Sequence, residues 1–114
     1  MKDVNKDFEI PCGLSRKGRQ AAIMIRERVL EKMKDTTGGG GRAFYTPQEW
    51  RDRGEDYGCE SLLIVCHEGG SMAGFFNYDY QEYDKIEGMS EMLLKYGVYA
   101  EQCTGWYTAI YPIC

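Results

Sequence analysis

The stretch ESLLIVCHE, residues 60–68, is the part of this chain that most constrains the fold. Its apolar residues follow one another without a break over the length of a typical strand. Gly58 and Gly69 bound the run, and glycine commonly marks the ends of strands. We therefore predict a strand here. Alternation along it divides the side chains between two faces, with Leu63, Val65 and His67 on one and Leu62, Ile64 and Cys66 on the other.

The residues after this strand predict a hairpin, a helix and further β-structure. The next residues, EGGS, have the composition of a turn, so residues 71–79 are expected to return as a second strand. Residues 80–96 then have helical spacing, with Asp79 as the start signal. The apolar stripe of this helix comprises Tyr83, Ile86, Met89, Leu93 and Tyr96. In the tail, β-forming residues alternate on both sides of Gly105 and predict one bent strand or two.

A long helix and a glycine run precede the first strand. Residues 14–35 have helical spacing, with Ser15 as a suitable N-cap. Their apolar stripe comprises Ala22, Ile25, Val29 and Met33. Residues 36–44 contain four consecutive glycines and predict a flexible connector. The context argues against a phosphate-binding loop, because that motif follows a strand and opens a helix, whereas this run follows a helix.

A second, short helix is predicted over residues 45–54. Thr46 suits the N-cap position, and Glu49 stands three residues later, as a capping box requires. Pro47 suits the first helical position. Gly54 is the residue type that commonly ends a helix.

The order of the predicted elements is α-α-β-β-α-β, with the tail counted as one strand or two. We therefore predict a single α+β domain, in which a small antiparallel or mixed sheet of three to four strands packs against about three helices on one face. A hydrophobic content of 43% is typical of a folded globule. The chain then divides into an irregular arm (1–13), a basic helix (14–35), a glycine-rich connector (36–44) and an α-β-β-α-β body (45–114).

Cysteine and histidine do not indicate a catalytic or metal site. The chain has five cysteines and one histidine, His67, without the short ligand spacing of a zinc site. Cys66 and His67 are neighbours in a strand, so their side chains point to opposite faces and cannot form a dyad. We therefore assign no catalytic residue, no metal ligand and no cofactor. One alternative is a small enzyme or ligand-binding site near residues 67–71, with His67 and Glu68 as its polar groups.

The net charge of −4 conceals a strong division of charge. Residues 16–34 carry seven basic and two acidic side chains, whereas residues 55–114 carry ten acidic and two basic ones. The basic helix would be able to follow a phosphate backbone. Its candidate basic face is Arg16, Lys17, Arg19, Arg26 and Lys34. Direct nucleic-acid binding is nevertheless the less favoured alternative, because the sequence pI is near 5.0, whereas nucleic-acid-binding domains commonly exceed a pI of about 9.

The acidic half of the chain is also rich in tyrosine. Tyrosine is favoured at protein interfaces, since its ring is apolar and its hydroxyl is polar. The chain has nine tyrosines, and several of them alternate with acidic residues around the start of the helix at 80–96. We predict that a partner protein binds this surface through Tyr80, Glu82, Tyr83, Asp84, Glu87 and Glu91. The same composition also suits a homodimer.

Two segments, FYTPQEWRDRGEDYGCESLLIVCHEGG at 44–70 and CTGWYTAIYPI at 103–113, resemble short uncharacterised proteins carried by bacteriophages and prophages. The resemblance implies a bacterial cytoplasmic setting and an accessory protein that binds and inhibits a host factor. Anti-CRISPR and other anti-defence proteins are the analogous class, because they are often small and acidic. The resemblance identifies no functional residue, since neither segment is a motif with known chemistry.

The host partner expected under this hypothesis is a protein with a basic nucleic-acid channel, which an acidic surface would occlude. No apolar run approaches the roughly 20 residues that a membrane span needs. The N-terminus also lacks the apolar core of a secretory signal. We therefore expect a cytoplasmic protein that does not contact a membrane.

Overall fold

The apolar run within residues 60–68 forms a buried strand in a four-stranded sheet. The structure, a computed structural model, describes residues 8–32, 42–67 and 73–113. The helices in these ranges are α1 Arg16–Lys32, α2 Pro47–Arg53, α3 Ala73–Phe76 and α4 Tyr83–Lys95, with a 3-10 turn at Tyr78–Tyr80. The strands are β1 Phe44–Tyr45, β2 Leu63–Cys66, β3 Val98–Gln102 and β4 Tyr107–Pro112.

The strands pair in the order β1-β2-β4-β3, and every pair is antiparallel. β4 therefore lies inside the sheet, with Ala109 opposite Ile64 of β2 and Tyr111 opposite Tyr99 of β3. The tail forms two strands, joined by a short connection that contains Gly105. The predicted α+β class is confirmed, and the sheet is antiparallel rather than mixed.

The two faces of the sheet pack against different helices. On one face, Leu63 and Val65 belong to a core that α1, α3 and α4 cover. On the other face, Ile64 packs in a second cluster with Trp50 of α2, whose side chain is fully buried. The predicted division of β2 into two faces is confirmed. The expectation that helices cover one face only is wrong, because the indole of Trp50 occupies apolar surface on the opposite side.

Helix α1 begins at its predicted N-cap. The Gly18 backbone N–H donates to Ser15 Oγ at 3.1 Å, which satisfies one of the free donors of the first turn. A side chain at Gly18 would meet the carbonyl oxygen of Leu62, so α1 packs its backbone directly against the segment that enters β2. The predicted apolar stripe is buried at Ala22, Ile25 and Val29. Its fourth member, Met33, lies outside the described residues.

Helix α2 has the predicted capping box. The Glu49 backbone N–H donates to Thr46 Oγ1 at 3.1 Å, and the Thr46 backbone N–H donates to Glu49 Oε1 at 3.0 Å. Pro47 occupies the first helical turn. The helix ends at Gly54, which adopts a left-handed φ of +80°.

The prediction of a second strand over residues 71–79 is wrong. Ala73–Phe76 forms the short helix α3, and the 3-10 turn follows it. A strand would point Phe75 and Phe76 to opposite faces. In the helical turn both rings enter the core, where they are only 1% and 3% exposed. The predicted turn between the two strands, residues 68–71, lies outside the described part of the chain.

Helix α4 buries the centre of its predicted stripe but not the two ends. Ile86, Met89 and Leu93 are buried, whereas Tyr83 and Tyr96 are 56% and 49% exposed. The two tyrosines at the ends of the stripe therefore lie at the surface. The helix starts after Glu82 rather than after Asp79.

The predicted arm and connector lie partly outside the described residues, at 1–7 and 36–41. Phe8, within the arm, is buried, and its ring centroid lies 6.4 Å from that of Phe44. Across the described ranges, no helix is both long enough and apolar enough to cross a membrane.

Candidate functional site

The residues predicted to bind a partner all lie at the surface. Tyr80 ends the 3-10 turn and is 49% exposed. Asp84, Glu87 and Glu91 are exposed along α4, and their spacing of three and four residues places them on one side of the helix. We call the whole set the acidic helix surface, which comprises Tyr80, Glu82, Tyr83, Asp84, Glu87 and Glu91.

Packing against α3 fixes the start of the acidic helix surface. Gln81 adopts a left-handed φ of +57°, which turns the chain between the 3-10 turn and α4. The Glu82 carboxylate then lies over Gly74 of α3, where any side chain would collide with it. Lys85 Nζ lies 2.9 Å from Glu82 Oε1. Glu82 is therefore held in place and partly neutralised.

The other carboxylates of this surface have no such neutralisation. Asp84, Glu87 and Glu91 form no ion pair with any residue in the described ranges. Exposed charges that are not matched within the molecule are available to attract a partner of opposite charge.

The basic helix packs beside the acidic one without cancelling its charge. The Arg28 guanidinium lies against Gly88 in the middle of α4, and Lys17 Nζ approaches Gly97 just beyond its end. Helices α1 and α4 are therefore antiparallel neighbours. Among the described residues, no ion pair joins them. Arg28 Nε is buried without a hydrogen-bond partner in this part of the chain.

Only three of the five residues of the alternative basic face are found exposed together in the described part of the chain. Arg16, Lys17 and Arg19 are exposed on the first turn of α1, which places three cations at one end of the molecule. Arg26 is half-buried. Lys34 lies outside the described residues.

His67 is a core residue rather than a residue at the rim of a turn. Its side chain is 2% exposed and stacks on Phe76 at 5.9 Å between ring centroids. The Nε2 atom lies 2.9 Å from Thr108 Oγ1, and Nδ1 has no partner among the described residues. Burial lowers the pKa of His67 from 6.5 to about 4, so the imidazole is neutral near pH 7. Glu68, which the sequence pairs with His67 at the alternative site, lies outside the described residues.

The sequence did not predict a cleft on the sheet face opposite α4. It has a volume of about 670 Å³ and lies between the loop after α2 and the strands β3 and β4. We call it the acidic cleft, because three carboxylates line it and no Lys, Arg or His does so among its described residues. The lining includes Asp56, Cys59, Glu60, Glu101, Cys103 and Tyr111.

The Cys103 thiol of the acidic cleft is not an activated nucleophile. Burial and the nearby Glu101 carboxylate raise the pKa of Cys103, so its thiolate is disfavoured at neutral pH. Cys103 Sγ lies 3.5 Å from the Glu101 carbonyl oxygen, and Cys59 Sγ lies 3.1 Å from that of Glu55. Within the described ranges, no three His, Cys, Asp or Glu side chains are placed to hold a metal ion.

Aromatic residues close the other end of this sheet face. Trp50 lies 5.1 Å from Tyr45 and 5.7 Å from Trp106, measured between ring centroids. The Arg53 guanidinium lies 4.4 Å from the Trp50 ring and Arg42 lies 4.2 Å from the Tyr45 ring. The two guanidinium groups cover the Tyr45 and Trp50 rings, so we interpret this cluster as structural.

Arg42 also makes two hydrogen bonds to the Glu49 carboxylate, at 2.6 and 2.7 Å. These bonds hold the pKa of Glu49 below its usual value. The capping residue of α2 is thus tied to the segment that enters β1.

Comparisons of the chain with protein-family models, with curated proteins and with solved structures gave no match. The acidic helix surface and the acidic cleft are therefore the two candidate functional sites. The alternation of Tyr99, Glu101 and Cys103 was the available signal for the acidic cleft, since it places all three on one side of a strand. Finding Asp56 and Glu60 required the three-dimensional fold.

Proposed function

We propose that this chain is a non-enzymatic binding protein whose acidic helix surface docks on a basic protein. The observation that carries the proposal is that Asp84, Glu87 and Glu91 share one exposed side of α4 without an ion-pair partner in the described residues. Such charges steer association with a positively charged protein. The exposed rings of Tyr80 and Tyr83 supply apolar contact area beside them.

The proposed partner is a nucleic-acid-binding protein of a bacterial host. Carboxylates spaced along an exposed helix would occupy the basic channel in place of phosphate groups. This is the action expected of an anti-defence protein of bacteriophage type, the class implied by the sequence resemblance. The resemblance and the charge pattern support this part of the proposal.

The test is a charge reversal with a matched control. Glu87→Lys/Glu91→Lys reverses two charges of the acidic helix surface. Glu27→Lys/Glu31→Lys makes the same change at the same spacing on the exposed side of α1. Each protein is immobilised and used to capture proteins from a bacterial lysate, with and without excess duplex DNA.

We expect the original protein and the α1 variant to retain the same host protein, and DNA to displace it. The Glu87→Lys/Glu91→Lys variant should lose it. Equal retention by both variants would contradict the proposal. If the isolated protein itself bound labelled DNA and lost that binding when Arg16 and Arg19 were replaced, the basic face would be the functional one instead.

A further inference from the structure

Strand β3 has a free edge beside the acidic cleft. Among the described strands, β3 pairs with β4 alone. The Ile113 N–H donates to the Gly97 carbonyl at 2.9 Å, and the Cys103 N–H donates to the Tyr107 carbonyl at 3.1 Å. These bonds point the peptide groups of Gly97 and Cys103 towards β4. Peptide groups alternate in direction along an antiparallel strand, and Ala100 is three residues from both. The N–H and C=O of Ala100 therefore point away from β4.

An additional strand would pair with the outward-facing peptide groups of β3. In the described part of the chain, no strand pairs with the outer side of β3. An unpaired strand edge is a template for an extended peptide, whose main chain continues the hydrogen-bond ladder. Glu101 is the fourth of the five residues of β3, and an acidic side chain there disfavours pairing with a second copy of the same strand.

The acidic cleft lies within reach of a peptide bound at this edge. An added strand would lie about 4.8 Å from β3, with alternate side chains on the side that carries Tyr99 and Glu101. An arginine or lysine in such a position would extend across Glu101 into the cleft. There it would meet the carboxylates of Asp56 and Glu60 and the ring of Tyr111.

The charge of the cleft selects among possible occupants. Its described lining has three carboxylates and no cation, which disfavours phosphate, nucleic acid and acidic peptides. Tyr99 and Tyr111 stack with 5.6 Å between their ring centroids, on the same side of the sheet as Glu101. Aromatic faces next to carboxylates suit guanidinium and ammonium groups.

We propose that the free edge of β3 and the acidic cleft together form a docking site for an extended, arginine- or lysine-bearing segment of a partner protein. The peptide backbone adds to β3, and its basic side chains enter the cleft. This site is separate from the acidic helix surface and does not depend on it.

The probe is a fluorescein-labelled heptapeptide in which arginine alternates with threonine, and its binding is followed by fluorescence anisotropy. Two control peptides separate the contributions. In one, citrulline replaces arginine and removes the charge while keeping the shape. In the other, alternate backbone nitrogens are methylated and cannot donate to β3. The protein variants are Asp56→Asn/Glu101→Gln in the cleft and Glu87→Gln/Glu91→Gln on α4, which remove the same charge.

We expect salt-sensitive binding of the arginine peptide that weakens about tenfold in Asp56→Asn/Glu101→Gln and stays unchanged in Glu87→Gln/Glu91→Gln. Both control peptides should bind at least about tenfold more weakly. Hydrogen exchange at the Ala100 amide should slow in the complex.

Three outcomes would overturn the inference. One is an equal loss of affinity in the two double variants, which would indicate unspecific charge attraction. The second is unchanged affinity for the methylated peptide, which would exclude strand addition. The third is no binding of the arginine peptide. None of them bears on the capture of a host protein through α4, so the two proposals fail separately.

Discussion

At the scale of single residues, Gly54 and Gly58 show how surroundings decide the importance of a glycine. Both have a left-handed φ, +80° and +82°. A Cβ at Gly54 would have no atom within 4 Å, whereas one at Gly58 would lie 2.8 Å from Ile64 Cδ1. Because Gly58 has no side chain, the loop that lines the acidic cleft packs directly against Ile64 of β2.

Replacing each glycine by alanine separates these two effects. Gly54→Ala should lower the free energy of unfolding by about 1–2 kcal/mol, the cost of a left-handed alanine. Gly58→Ala should lower the free energy of unfolding by the same amount and by about a further 1–3 kcal/mol, because the new methyl group overpacks against Ile64. Urea unfolding measures both. Equal losses in the two variants would show that the loop moves aside freely and would contradict the packing argument.

At the scale of elements, the capping box of α2 gives a local test. Thr46 is buried, and its hydroxyl accepts the Glu49 backbone N–H. Thr46→Ala should therefore cost about 1 kcal/mol of stability, whereas Thr46→Ser keeps the acceptor and should cost less. Thermal unfolding of the three proteins checks the order. Identical midpoints for Ala and Ser would show that the cap contributes nothing.

The contrast between α2 and α3 shows which elements the sequence can predict. Helix α2 has its signals within nine residues, from the cap at Thr46 to Gly54, and these act locally. Helix α3 spans only four residues, and its phenylalanines favour a strand on propensity alone. Their helical turn is set by tertiary packing, because both rings enter the same core.

The same distinction applies to the two candidate binding features. Exposure of Asp84, Glu87 and Glu91 follows from helical periodicity, so the sequence alone placed them together. The acidic cleft joins residues 56–60 to β3 and β4. That proximity depends on the pairing of β2 with β4, which no local pattern specifies.

At the scale of the whole molecule, His67 links stability to pH. It lies between the sheet, through Thr108, and α3, through Phe76. Its pKa is about 4 in the folded protein, below the ordinary value of 6.5. The unfolded chain therefore takes up a proton at a higher pH than the folded one. The contribution of a neutral His67 is fully present above about pH 6.5 and declines as pH falls towards 4.

We expect the titration of His67 to lower the free energy of unfolding by about 2 kcal/mol between pH 7 and pH 5. Most carboxylates stay ionised in this range. His67→Gln can keep a hydrogen bond to Thr108 but has no titrating group. Its stability should change much less over the same range. Parallel stability profiles for the two proteins, measured by urea unfolding, would refute the assignment.

The position of β4 has a consequence for how the chain folds during synthesis. β4 is last of the described strands in the chain, yet it lies between β2 and β3. On the ribosome, the nascent β2 can pair with the two-residue β1, but its other edge stays open until residue 112 emerges. Long-range pairing of this kind slows folding and leaves apolar strand edges exposed meanwhile. The nascent chain thus leaves β2 open to chaperones until β4 has emerged.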